Sequence, residues 1–285
     1  MRKLQDKDVS ARSEGGSATR MKEVWAQGES YEPYVGRWSR VTARAFLEWL
    51  GARPGLCWID VGCGTGALSH TILEHARPDR LLGVDRSLGY VRHARGGRPS
   101  PGARYVVGDA QALPVASGGF DLAVSALVLN FVPEPGRMIG EMVRAVRPGG
   151  HVALYVWDYA GKMELMRHFW DVAVALNPAA LELDEGRRFP ICQPQALCEL
   201  MAKSGVSRLE VEAVDVPTVF RDFEDYWSPF LRGQGPAPGY AVSLPEPARN
   251  QLRDQLRSRV PAAPDGSIAL VARAWAVRGM AGLPS

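Results

Sequence analysis

The stretch D-V-G-C-G-T-G at residues 60–66 carries the sharpest chemical signal in the chain. Glycines at 62, 64 and 66 remove side chains where a backbone must turn tightly and let a ligand approach closely. A helix opening directly behind them would present unpaired N–H groups and a positive dipole end to an anion, either a phosphate or a carboxylate. The same residues fit a second chemistry. Gly62, Gly64 and Ala67 satisfy G-x-G-x-x-A, the dinucleotide fingerprint, and Asp85 stands where an acidic residue would bind a ribose. Asp60 weighs against a dinucleotide: its carboxylate would repel a pyrophosphate but suits a ligand bearing an ammonium group. Gly108-Asp109-Ala110 supplies another acidic group, placed to accept a hydrogen bond from an exocyclic amine. The plainer use of Asp109 is to cap its own turn.

The elements that must hold these residues alternate regularly. Residues 40–50 have helical apolar spacing, with Gly51 placed to end the helix. Short apolar runs at 56–61, 81–85, 103–109, 120–126 and 151–157 read as five buried strands. Helices are expected between them at 66–77, 87–95 and 134–147, the last with Pro135 at its first position and Met138, Ile139, Met142 and Val146 on one face. Such alternation predicts a parallel sheet covered on both faces. Beyond Trp157 the rhythm changes. Helices are expected at 162–176, 195–203 and 246–258 and strands at 207–216 and 267–277, with an irregular stretch at 178–194. The segments 158–194 and 220–264 are expected to lie over the carboxyl edge of the sheet as a lid. Residues 1–20 are polar and read as a disordered tail before a single domain at 21–285.

Composition narrows the function classes. The chain has 285 residues, 46% hydrophobic and 23% charged, the balance of a soluble globular protein with one sizeable core. There is no apolar run of the roughly 18 residues that a membrane span needs. Arg2 and Lys3 are followed by no apolar segment, so no secretory signal is expected. The net charge of +3 divides into +2 in the first 20 residues and +1 over the remainder, so bulk charge offers no nucleic-acid groove. Cys57, Cys63, Cys192 and Cys198 form no C-x-x-C and join no zinc-spaced histidines. They are expected to be reduced thiols of a cytoplasmic protein, with no metal site.

Residues 56–157 resemble a class I S-adenosylmethionine-dependent methyltransferase of the ubiquinone/menaquinone-biosynthesis-like type (methyltransferase type 11). The runs that carry the resemblance are D-V-G-C-G-T-G, L-L-G-V-D-R-S, V-V-G-D-A-Q-A-L-P, F-D-L-A-V-S-A-L-V-L-N-F-V and V-R-P-G-G, in that order. The resemblance implies a Rossmann-like α/β sheet of seven strands in the order 3-2-1-4-5-7-6, the last strand antiparallel, with helical lid insertions. It also implies roles for single residues. The backbone of Gly62, Cys63 and Gly64 would meet the methionine part of the cofactor, and Asp60 would hold its ammonium group. Asp85, followed by Arg86, would bind the ribose. Asp109 and Ala110 would meet the adenine, and Ala126 and Leu127 would pack near the sulfonium. The run 31–40 resembles the lead-in segment of such enzymes, so Tyr34 or Arg37 would close over the cofactor, with Arg37 pairing the methionine carboxylate.

The expected activity is methyl transfer from S-adenosyl-L-methionine to a small-molecule acceptor, leaving S-adenosyl-L-homocysteine. The alternatives are an RNA-directed methyltransferase and an NAD(P)-dependent oxidoreductase. A general base helps only where the acceptor is a neutral hydroxyl or an acidic carbon. Asp158, directly after the fifth strand, and His168, on a lid helix, are the candidates, with turn capping and packing as their plainer uses. Phe169, Trp170, Phe189, Tyr226, Trp227, Phe230 and Tyr240 would either wall the acceptor or form the lid's own core.

Overall fold

A computed structural model describes residues 36–98, 100–232 and 235–282. Tyr34 and the expected tail at 1–20 lie outside the described residues. The strands are β1 (Cys57–Val61), β2 (Arg80–Asp85), β3 (Ala103–Val107), β4 (Phe120–Ala126), β5 (Val146–Trp157), β6 (Val206–Phe220) and β7 (Ile268–Ala281). They form one sheet in the order 3-2-1-4-5-7-6. The first five run parallel to their neighbours, and β7 lies antiparallel between β5 and β6. The carboxyl ends of the parallel strands therefore share one edge, where ligands bind in open α/β sheets.

Helices α1 (Arg37–Leu50), α2 (Ala67–His75), α3 (Leu88–Gly97) and α4 (Pro135–Ala145) cover this sheet. On α1 the apolar residues Ala43, Phe46, Leu47 and Leu50 share one buried stripe. Phe46 packs on Tyr155 with ring centroids 4.8 Å apart, and removing a ring of this kind from water contributes roughly 1.5–3 kcal/mol. Gly51 ends α1 in the left-handed conformation, and Arg278 donates to the exposed carbonyls of Trp49 and Leu50. Met138, Ile139 and Met142 of α4 are fully buried, as the helical spacing predicts, whereas Val146, expected on the same face, lies past the helix as the first residue of β5.

Three strands are longer than their apolar runs. β5 begins at Val146 instead of 151, because R-P-G-G joins the sheet through a register shift opposite Phe120 and Leu122. There Asp121 accepts hydrogen bonds from the Cys57 amide and the Arg147 side chain. The pair β6–β7 continues to Phe220 and Ala281. Pro217 is tolerated because β6 is an edge strand, where a missing N–H costs the ladder nothing.

The lid comprises α5 (Glu164–Leu176), α6 (Glu185–Arg188), α8 (Phe223–Trp227), α9 (Pro236–Ser243) and α10 (Glu246–Arg259), while α7 (Pro194–Lys203) packs on β6, β7 and α4. The short helices α6 and α8 and the Pro-led α9 lack the length for a periodic pattern. Phe169 stacks on Phe230 at 4.6 Å and meets Trp170 and Tyr240 edge-on or tilted in the same cluster. The Tyr226 hydroxyl donates to the Leu165 carbonyl. The aromatic residues of the lid thus form its own core. No described helix is long and apolar enough to cross a membrane, and the described residues hold no cluster of metal-ligating side chains.

Candidate functional site

A cavity of about 250 Å³ opens along the shared carboxyl edge. Its floor comes from Asp60 and Gly62–Thr65 after β1, Asp85–Ser87 after β2, Gly108–Gln111 after β3 and Ala126–Val128 after β4. The turn after β1 needs its glycines for two different reasons. Gly62 has φ +74°, and a Cβ there would stand 2.6 Å from a Val128 methyl. Gly64, φ +53°, has nothing within 4 Å of where a Cβ would be, so the missing side chain leaves open space against the cavity.

The amides of this turn are not free to clasp an anion. Gly62 and Cys63 both donate to the Val84 carbonyl, at 2.7 and 3.0 Å, and Gly64 donates to Asp85 Oδ2 at 3.0 Å. Any anion would therefore have to meet the start of the following helix, not the amides of these three residues. They tie β1 to β2 and offer the ligand a bare backbone surface. Burial and the nearby carboxylates of Asp60 and Asp85 push the Cys63 thiol far up, which keeps it neutral.

Asp60 is fully buried. One oxygen accepts the Ser69 hydroxyl at 2.6 Å, and the other, Oδ1, has no hydrogen-bond partner among the described residues. Burial pushes its pKa up to about 7, with the neighbouring Asp85 charge adding to the rise. A buried carboxyl on a cavity wall with an orphaned oxygen lacks a cation or donor, and a ligand ammonium would supply both. The residues present thus fit the amino-acid end of S-adenosylmethionine better than a pyrophosphate.

Asp85 ends β2 facing the cavity. Its carboxylate accepts the Gly64 and Ser87 amides, which oppose the upward push of burial. Arg86 lies beside it in the wall. Asp109 lines the cavity but is largely exposed, and it accepts the Gln111 amide at 2.8 Å and its side-chain amide at 3.3 Å. Those bonds hold its carboxyl below the ordinary value. It caps its turn and faces the cavity at once, with Ala110 next to it. Leu127 adopts φ +60°, unusual for a residue with a side chain, while its amide donates to the Tyr155 carbonyl. This places Ala126 and Leu127 in the cavity wall at the end of β4.

Three expected site residues lie elsewhere. Arg37 is turned to α8, pairing Asp225 at 3.1 Å, with its guanidinium over the rings of Trp38 and Phe220. It is not in the cavity wall, because the local carboxylate and two rings hold it. Asp158 is buried and accepts the Lys162 amide at 3.0 Å, which fastens the 158–162 turn. It faces that turn while its neighbours Trp157 and Tyr159 line the cavity. His168 is half-buried on α5, outside the wall, and burial depresses its pKa.

The end of the cavity beside β5 is walled by Phe131, Tyr155, Trp157, Tyr159 and Met166, together with Glu185. None of the seven lid aromatics lines it, which matches the second of their two expected uses, packing within the lid. Glu185 was hidden in the run D-E-G-R-R, which reads as a solvated charged turn. In the fold its neighbour Asp184 takes both the Arg167 guanidinium and the Gly186 amide, and Glu185 turns inward. It is 2% exposed and accepts the Trp170 indole N–H. The one signal in the sequence was D-E at a helix start, which permits a cap at Asp184 and an inward neighbour.

Residues 59–154 match the model of a methyltransferase domain family. A demethylmenaquinone methyltransferase of Beutenbergia cavernae is 36% identical over 115 residues, 40% of this chain and 46% of that protein. A 2-methyl-6-phytyl-1,4-hydroquinone methyltransferase of Synechocystis sp. is 27% identical over 197 residues, 67% of this chain and 60% of that one. The chain thus spans about half the length of these curated relatives. Among solved structures, the YcgJ protein of Bacillus subtilis superposes with a TM-score of 0.57 at 13% identity, covering 86% of this chain and 99% of that one. Phosphoethanolamine N-methyltransferase 2 of Haemonchus contortus, in complex with S-adenosyl-L-methionine, gives a TM-score of 0.55 at 16% identity, over 90% and 56%. These likenesses agree with the fold. Over residues 59–154 the chain is thus similar to methyltransferase domains.

Proposed function

We propose that the protein transfers a methyl group from S-adenosylmethionine to a small, largely apolar acceptor held between the sheet edge and the lid. The observation that carries this reading is Asp60, a buried carboxyl with an orphaned oxygen on the cavity wall beside the bare turn 62–64. When bound, the cofactor supplies an electrophilic methyl carbon on a sulfonium leaving group. The chain's own residues have the tasks of holding, orienting and drying the site. Asp60 would hold the ammonium, Asp85 the ribose hydroxyls, and Asp109 with Ala110 the adenine. Ala126 and Leu127 would form the wall at the reacting end. Tyr155, Trp157 and Met166 would exclude water and position the acceptor.

A small molecule is favoured over RNA because the acceptor end is enclosed by aromatic and sulfur-containing side chains and lined by no lysine or arginine other than Arg86. We place the reaction in the cytoplasm, in keeping with four free thiols. Photo-crosslinking with radiolabelled S-adenosylmethionine tests the reading. Label should map to peptides containing 60–66 or 85–87 and be competed away by S-adenosylhomocysteine. Label that is not competed, or that maps only outside the cavity, would contradict it.

A further inference from the structure

The order of the strands fixes the polarity of the cavity. Asp109 and Asp85 follow β3 and β2 at one end, while Tyr155, Trp157 and Tyr159 follow from β5 at the other. Glu185 joins the β5 end, brought there by the lid. Among the described residues it is the one carboxyl in that part of the wall. Asp158, closest to it in expectation, is committed to its own turn.

The surroundings hold Glu185 in place without neutralising it. Trp170 donates its indole N–H to Oε2. Arg167, on the neighbouring α5, is spent on Asp184 in a two-point pair at 2.7 and 3.0 Å and on the Tyr159 carbonyl. Arg188 exerts a weak downward pull on the Glu185 pKa, and Asp184 pushes it up. Burial dominates and carries it to about 7. A carboxyl so placed changes protonation near neutrality, inside a dry aromatic wall.

We propose that Glu185 is the catalytic base of the methyl transfer, and that the acceptor is a planar apolar molecule with a hydroxyl as its nucleophile. The inference rests on the methyl-transfer reading above. The Glu185 carboxylate takes the hydroxyl proton as the acceptor oxygen forms its bond to the methyl carbon. The sulfur keeps the electron pair of the broken C–S bond, and the proton leaves Glu185 for water. A hydroxyl is inferred because a neutral amine attacks without prior loss of a proton, whereas a hydroxyl gains from a base in the transition state. The planar shape follows from Phe131, Tyr155, Trp157 and Tyr159, whose faces favour stacked or edge-on rings.

The test uses 2-naphthol as the probe and S-adenosylhomocysteine-loaded protein, so that Asp60 is held ionised by the ligand ammonium and Glu185 titrates alone. Wild type should bind 2-naphthol up to about tenfold more tightly at pH 8 than at pH 6, because a carboxylate accepts the hydroxyl more strongly than the neutral acid does. The bound probe should show naphtholate-like fluorescence at the higher pH, the mark of a proton acceptor against its hydroxyl. Binding of 2-methoxynaphthalene, which has no proton to give, should not change with pH. Glu185→Gln can still accept the Trp170 N–H, so it should fold and bind S-adenosylhomocysteine as wild type does. It should lose both the pH dependence and the naphtholate emission. Failure of 2-naphthol to bind loaded wild type, or equal behaviour of Glu185→Gln, overturns the proposal. Failure of S-adenosylhomocysteine to bind wild type would instead remove the reading on which it rests.

Discussion

Asp60→Asn should stabilise the unliganded protein and weaken its hold on the cofactor, and the two effects come from one buried carboxyl. In the fold its pKa rises from 3.8 to about 7, chiefly through burial. At about 1.4 kcal/mol per pH unit, the difference corresponds to roughly 4 kcal/mol. The sign follows from linkage. A carboxyl whose folded value is raised contributes stability that is fully present below about pH 4 and lost as pH climbs through about 7. Against burial, the Ser69 hydroxyl and backbone amide favour the charged form, and Asp85 opposes it. Unliganded wild type should therefore lose stability between pH 4 and 8, with Glu185 adding a loss of the same sign as it passes from 4.5 to about 7. Asn at 60 removes the Asp60 share, so the variant should be more stable at pH 8 by up to about 4 kcal/mol, less whatever the altered Ser69 bond costs.

Cofactor binding runs the other way, because the ligand ammonium needs the carboxylate. With a value near 7, the carboxyl is about one-tenth ionised at pH 6 and nine-tenths at pH 8, so S-adenosylhomocysteine should bind roughly tenfold more tightly at pH 8. Titrations at pH 6, 7 and 8 on wild type, Asp60→Asn and Glu185→Gln separate the two buried acids. The dependence should persist in Glu185→Gln and vanish in Asp60→Asn, whose affinity should be uniformly low. Affinity that is flat across this range in wild type, or a variant that binds as tightly as wild type at pH 8, would refute the assignment.

Gly62→Ala should destabilise by about 2–5 kcal/mol, combining roughly 1–2 for a left-handed backbone with about 1–3 for the clash against Val128. A denaturant midpoint unchanged from wild type would show that the turn relaxes freely. Asp158→Asn and His168→Gln should keep catalytic turnover within a few-fold of wild type, since one fastens a turn and the other lies outside the wall. A hundredfold loss in either, with stability unchanged, would return it to the role of base.

The sheet was legible because its signals are local and repeated. The apolar run 120–126 matches β4 residue for residue, and 135–145 lies inside the helix read from Met138, Ile139 and Met142. The placement of Asp60, Asp85 and Asp109 was also readable, since Asp60 lies one residue before the end of β1, Asp85 ends β2 and Asp109 lies two residues past β3, and the strand order carries them to one edge. What failed had a shared physical cause. Arg37 was placed by the resemblance of the run 31–40 and Asp158 and His168 by their position after the fifth strand and on the lid, yet each side chain is committed by a neighbour or by the face it occupies. The lid aromatics were visible as apolar mass, but sequence does not say whether rings pack on one another or on a ligand. Glu185 carried only the D-E signal of a helix start, because its inward turn depends on Arg167 and Trp170, which lie on another helix.

The most direct test of the central claim is calorimetric titration of S-adenosylhomocysteine and, separately, NADH into wild type and Asp85→Ala. The account predicts micromolar binding of S-adenosylhomocysteine to wild type, a loss of at least tenfold in the variant where the ribose acceptor is gone, and no binding of NADH. Binding of NADH alone would contradict it and make the 60–67 turn a dinucleotide site.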